Sequence, residues 1–114
     1  MENAIYNELR YRGFSVDVGV IGIREYINGK REYKQLEIDF IANKGDRRYY
    51  IQSAYHMDGD EKKEQEIRPF LKINDGFRKM IITGDDVPCH VNSIGITVMN
   101  VIDFMKDASS LDRV

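Results

Sequence analysis

Between Gln35 and Ala42 the chain alternates strictly, with Leu36, Ile38, Phe40 and Ala42 of one parity and Glu37, Asp39 and Ile41 of the other. Only an extended strand keeps one parity on one face, so this stretch excludes an all-helical fold. Asn43-Lys44-Gly45-Asp46 supplies turn residues, and Arg48 to Tyr55 resumes the alternation, with Tyr49, Ile51, Ser53 and Tyr55 opposed to Tyr50, Gln52 and Ala54. Two such runs around a glycine-bearing turn predict an antiparallel hairpin. A loop of two or four residues pairs positions of opposite parity, which sets Asp39 opposite or diagonal to Gln52 on one sheet face.

The flanking segments supply the other elements. Met1, Ile5, Tyr6 and Leu9 recur at helical spacing and Gly13 closes the run, predicting a helix over Glu2 to Arg12. That helix starts with no room for a capping residue, the expectation for a piece cut from a larger protein. Phe14, Val16, Val18 and Val20 predict a strand with one buried face, and Ile23 to Ile27, before Asn28-Gly29, a second one. Asp58, Asp60 and Glu61 open a helix from about Asp60 to Lys72, with a break expected near Arg68 because Pro69 lacks a backbone N–H. Lys79 to Thr83 and Ile94 to Val98 read as short strands, and Val101, Phe104 and Met105 as a last helix. A helical crossover between the strands at Ile51 and Ile81 calls for parallel neighbours. The expected fold class is therefore α/β, a mixed β-sheet flanked by helices in a single domain over residues 1–114.

Composition narrows the partners. A net charge of −2 gives no global attraction to a phosphate backbone, so nucleic-acid contact needs a local basic patch. Lys30, Arg31, Lys34, Lys44, Arg47 and Arg48 cluster at turns, and Lys44, Arg47 and Arg48 at the hairpin tip are the contact candidates. Cys89 is the only cysteine, which excludes an internal disulfide and a cysteine metal centre and suits a reducing cytoplasm. His56 and His90 share no ligand spacing with each other or with Cys89, no apolar run reaches the length of a membrane span, and no glycine-rich phosphate loop is present. For protein docking, Tyr49, Tyr50, Tyr55 and Phe77 are the expected surface aromatics.

The hairpin Leu36-Glu37-Ile38-Asp39-Phe40-Ile41 and Tyr50-Ile51-Gln52-Ser53-Ala54-Tyr55 resembles the core of the PD-(D/E)XK, or restriction endonuclease-like, nucleases. It resembles above all the domain of unknown function that follows the ATPase module in many bacterial and archaeal AAA+ ATPases. Glu2 to Leu9, Arg12-Gly13-Phe14 and Arg68-Pro69-Phe70-Leu71-Lys72-Ile73 extend the resemblance to about Asp107. It implies a restriction endonuclease-like sheet and an ATPase module upstream in the same chain, with ATP bound there and not in this domain.

Working nucleases of this kind hold a divalent metal with acidic oxygens and add a lysine that stabilises charge or activates water. By resemblance the first acid is Asp39, the second position is Gln52, the lysine position is Ala54, and the helix acid is Glu8 or Glu2. Glutamine brings an oxygen but no charge, and alanine brings neither. The resemblance thus implies a degenerate site that holds Mg²⁺ or Mn²⁺ weakly at Asp39 and does not turn over unless Lys62 or Lys63 reaches back from the second helix. The expected role is a noncatalytic accessory domain contacting nucleic acid, a protein partner or other subunits. The alternatives are a nuclease with a migrated lysine and a purely structural interaction module.

Overall fold

In the computed structural model, which describes residues 1–112, helix α1 (Glu2–Tyr11) buries Ile5 and Leu9 one turn apart on one face. It is followed by Gly13 at φ 90°, a conformation that suits glycine alone. Three long strands come next: β1 (Ser15–Ile27), β2 (Lys30–Lys44) and β3 (Arg47–Ala54). Helix α2 (Asp60–Leu71) leads to β4 (Arg78–Thr83), and then come β5 (His90–Val91), β6 (Thr97–Asn100), α3 (Val101–Lys106) and a 3₁₀ turn at Ser110–Asp112. The sheet order is β1-β2-β3-β4-β6-β5. The first three strands form an antiparallel meander, β3, β4 and β6 run parallel, and β5 returns antiparallel on the far edge. The fold is α/β, a mixed sheet with helices on both faces, and α2 makes the expected crossover between the parallel strands β3 and β4.

Each face of the sheet carries its own core. Ile5 and Leu9 of α1 and Phe104 of α3 pack on Phe40, Ala42, Tyr49, Ile51, Met80 and Ile82. Phe70 of α2 packs on Ile38, Tyr50, Ala54 and Ile81 of the opposite face. Buried Arg12 ties α1 to the C-terminal elements: its guanidinium sits 4.4 Å over the Phe104 ring and donates to Glu8 and to Ser110 Oγ, each at 2.9 Å, and to the Phe104 carbonyl. No helix among the described residues is long and apolar enough to cross a membrane.

Several sequence expectations are corrected. Phe14 to Val20 and Ile23 to Ile27 are not two strands; β1 runs through both, and Asn28 and Gly29, both at positive φ, make the two-residue turn into β2. The alternation of β2 does not keep Leu36 to Ala42 on one face. From the pair Asp17–Ile41 to the pair Gly19–Ile38, β1 advances two residues and β2 three, a bulge centred on Asp39 and Phe40. Ile38 consequently joins the core under α2, while Phe40 and Ala42 join the other. Gly19 faces the bulge without a side chain because a Cβ there would stand 2.6 Å from Ile41 Cδ1.

Val18 and Val20 share a face with Val16 but lie beyond the core that α1 and α3 cover, and they are exposed. Helix α2 does not break at Arg68. Pro69 falls in its last turn, where only Phe70 and Leu71 follow, and its ring is buried. The strand expected at Ile94 to Val98 starts at Thr97, and the two-residue β5 was not anticipated. Of the four docking aromatics, Tyr49 and Tyr50 are buried, and only Tyr55 and Phe77 reach the surface.

Candidate functional site

The bulge interrupts the β2–β3 ladder. Its last regular pair is Phe40–Ile51, and the next two positions are Asp39 and Gln52. Here side chains take over the backbone pairing. The Asp39 N–H donates to Gln52 Oε1 at 2.8 Å, and the Ser53 N–H donates to Asp39 Oδ2 at 2.8 Å. The Gln52 amide nitrogen lies 3.4 Å from the Glu37 carbonyl and 3.5 Å from that of Glu66 in α2, so one buried side chain links β2, β3 and α2.

Around this pair opens a cleft of about 560 Å³, lined by Glu2 of α1, Glu37 and Asp39 of β2, Gln52 of β3, and Lys62 and Glu66 of α2. Lys62 Nζ bonds Glu66 Oε1 at 2.9 Å, an i,i+4 pair on the helix surface. That bond raises the Lys62 pKa, with a smaller push from Asp39. Lys62 is therefore a charge-neutralising group in this cleft and a poor proton acceptor. Burial is the main cause that raises the Asp39 carboxyl; the Ser53 N–H opposes it, and Glu2, Glu66 and Glu37 add to it.

The direction of that shift sets a stability test. A carboxyl whose folded pKa exceeds its unfolded value opposes folding when ionised, and the cost disappears as pH falls through the folded value. Asp39→Asn keeps an oxygen for the Ser53 N–H and removes the charge. It is expected to raise stability at pH 7 by less than about 1 kcal/mol, since the half-exposed carboxylate is screened by solvent. Urea denaturation at pH 7 and well below the unfolded value of about 3.9 should show the gain only at the higher pH.

The sequence candidates fall into five places. Asp39 and Gln52 are neighbours, and Glu2 and Lys62 share their cleft. Glu8 is not in that cleft; it pairs with Arg12, while Lys63 lines a separate hollow beside Met57, Ile67 and His90. Ala54, 2% exposed, lies on the same face as Gln52 but inside the apolar core under α2. Lys44, Arg47 and Arg48 sit at the hairpin tip, about 17 Å from Asp39 at ~3.4 Å per strand residue. Each is engaged within the chain: Lys44 with the Arg12 carbonyl at 2.7 Å, Arg47 with Asp112 at 2.8 Å, and Arg48 with Asn43 at 2.8 Å. Glu37, which the sequence offers beside Glu8 as a second acid for Asp39, does line the cleft, whereas sequence reasoning missed Glu66, for which the i,i+4 spacing from Lys62 was the available signal.

Two of the cleft's oxygens are already engaged by the backbone. Asp39 Oδ2 and Gln52 Oε1 accept backbone N–H groups, and among the described residues no three acidic, His or Cys groups converge at metal-holding distance.

No protein-family profile and no solved structure matches the chain. It is 33% identical over 105 residues to an uncharacterized protein of Haemophilus influenzae strain Rd, an alignment that takes in 92% of this chain and 22% of the relative. The chain thus spans about a fifth of the length of the curated relative it matches.

Proposed function

We propose that the chain is a noncatalytic accessory domain of a larger AAA+ ATPase, a nuclease-like scaffold used for contacts with nucleic acid, a protein partner or neighbouring subunits. Gln52 carries this reading. Where a nuclease would present a second acid to a metal, a neutral amide spends its oxygen on the Asp39 N–H and its nitrogen on two backbone carbonyls. The lysine position adds to it, since Ala54 is enclosed by apolar side chains. The ATPase assignment rests on the resemblance of α1 and the hairpin, and a relative several times longer is what an accessory module leads one to expect. On this reading ATP binds in the upstream module alone.

The test is incubation of the purified chain with single- and double-stranded DNA and RNA in excess Mg²⁺ or Mn²⁺. Parent and Asp39→Ala should give the same background trace, and metal-dependent product that vanishes in Asp39→Ala would overturn the reading.

A second reading, a metal-dependent nuclease with a migrated lysine, is favoured by the presence of Lys62 in the cleft of Asp39. Its ammonium would offset negative charge developing on a phosphate. Cleavage that falls in both Asp39→Ala and Lys62→Ala would establish it.

A further inference from the structure

Beyond the bulge, β1 and β2 continue as a two-stranded arm. From Gly19–Ile38 to the Asn28-Gly29 turn they pair only with each other, since β3 accompanies β2 no further than Phe40. The register places Gly22, Arg24 and Tyr26 on one face of the arm, opposite Gln35, Tyr33 and Arg31 respectively. Glu25 and Glu32 fall on the other face, where Arg68 of α2 holds Glu25 at 2.6 Å. The Arg/Tyr face therefore has no carboxylate from Gly22–Gln35 to the turn, in a chain whose net charge is −2.

The two tyrosines are displayed rather than packed, with Tyr26 73% and Tyr33 63% exposed. Tyr33 lies across Gly22, where a Cβ would stand 2.4 Å from its hydroxyl oxygen; the missing side chain lets the ring rest against the ribbon. The Arg31 guanidinium sits 5.8 Å from the Tyr26 ring centroid and 3.4 Å from its hydroxyl. Diagonal positions in such a pair are about 7–8 Å apart, so the rings stand as neighbouring platforms with cations beside them.

We infer that this face of the arm binds single-stranded nucleic acid, with Tyr26 and Tyr33 stacking bases and Arg24 and Arg31 holding phosphates. Exposed aromatics accept unpaired bases, whose faces a duplex hides, and arginines beside them supply the backbone term. Carboxylates of a protein partner would also pair with the arginines, but ring platforms set beside cations match the alternation of base and phosphate along a single strand. The inference names the partner of the contact role proposed above and rests on that reading.

The experiment is fluorescence anisotropy of the 114-residue chain with labelled single-stranded DNA, single-stranded RNA and the matching duplex, in EDTA and over a range of salt. Single strands should bind more tightly than duplex, and the DNA and RNA arms decide which strand is preferred. Tyr26→Ala and Tyr33→Ala should each weaken binding by at least about fivefold, with Tyr33→Phe retaining it. Arg24→Ala and Arg31→Ala should each flatten the slope of log K against log salt by about 0.7. No binding, binding unchanged in these variants, or duplex bound as tightly as single strands would each overturn the inference. EDTA removes metal-dependent cleavage from this assay, so a failed arm and a failed noncatalytic reading appear in different experiments.

Discussion

Gln52→Glu is expected to lower stability by about 2–4 kcal/mol at pH 7, although it restores an acid at the position where the resembling nucleases carry one. The amide nitrogen faces the Glu37 and Glu66 carbonyl oxygens, and a carboxylate would set a third oxygen against them. The side chain is 4% exposed and abuts Asp39, whose carboxyl is already raised by burial, so the new charge gains little water and meets a like charge. Both influences raise the folded pKa of the introduced acid above the unfolded value of about 4.3. The penalty is thus complete above the folded value and fades as pH falls through it. Urea midpoints of parent and variant should diverge at pH 7 and approach each other in acid. Equal midpoints at pH 7 would mean that the two long amide contacts contribute nothing.

Ala54→Lys is expected to destabilise by at least about 3 kcal/mol at pH 7, from overpacking and from a buried ammonium together. Tyr50, Phe70 and Ile81 share the core of Ala54 and offer no carboxylate. Burial lowers the folded pKa of the new lysine below the unfolded value of about 10.4, so the charge-related part of the loss should shrink as pH rises toward that value. Ala54→Met, of similar length without charge, isolates the packing part, which does not change with pH. A loss under about 1 kcal/mol would show that the ammonium escapes past Gln52 into the cleft. Restoring both residues at once therefore threatens the fold before it tests catalysis, since a domain of this size is stable by about 5–15 kcal/mol in total. Adjacent positions on one strand face also need not add.

The hairpin was legible because Leu36 to Tyr55 obeys a period of two and carries a turn at Gly45. The adjacency of Asp39 and Gln52 followed from parity alone. The bulge was not legible: an extra residue leaves no mark on composition, yet it separates Ile38 from Phe40. Val18 and Val20 have the right period for a strand, but period does not say where the covering helix ends. Lys62 and Lys63 were indistinguishable because the rotation of α2 against the sheet is set by Ile67 and Phe70 in the core. The roles of the Gln52 amide were equally hidden, as its partners are backbone carbonyls that every residue possesses.

The division of the sheet into an antiparallel meander and a parallel half also bears on the entropy of assembly. Two-residue turns close β1 onto β2 and β2 onto β3, so little chain freedom is lost beyond the strands themselves. Pairing β3 with β4 instead requires the chain from Tyr55 to Phe77, including all of α2, to be closed as one loop. Low-contact-order pairings of the first kind carry the smaller kinetic barrier. Asp39 and Gln52 both belong to that inexpensive half, whereas the Lys62 and Glu66 wall of the cleft belongs to the costly one. The floor of the cleft is thus specified by local sequence, and its wall by the long-range closure that completes the fold.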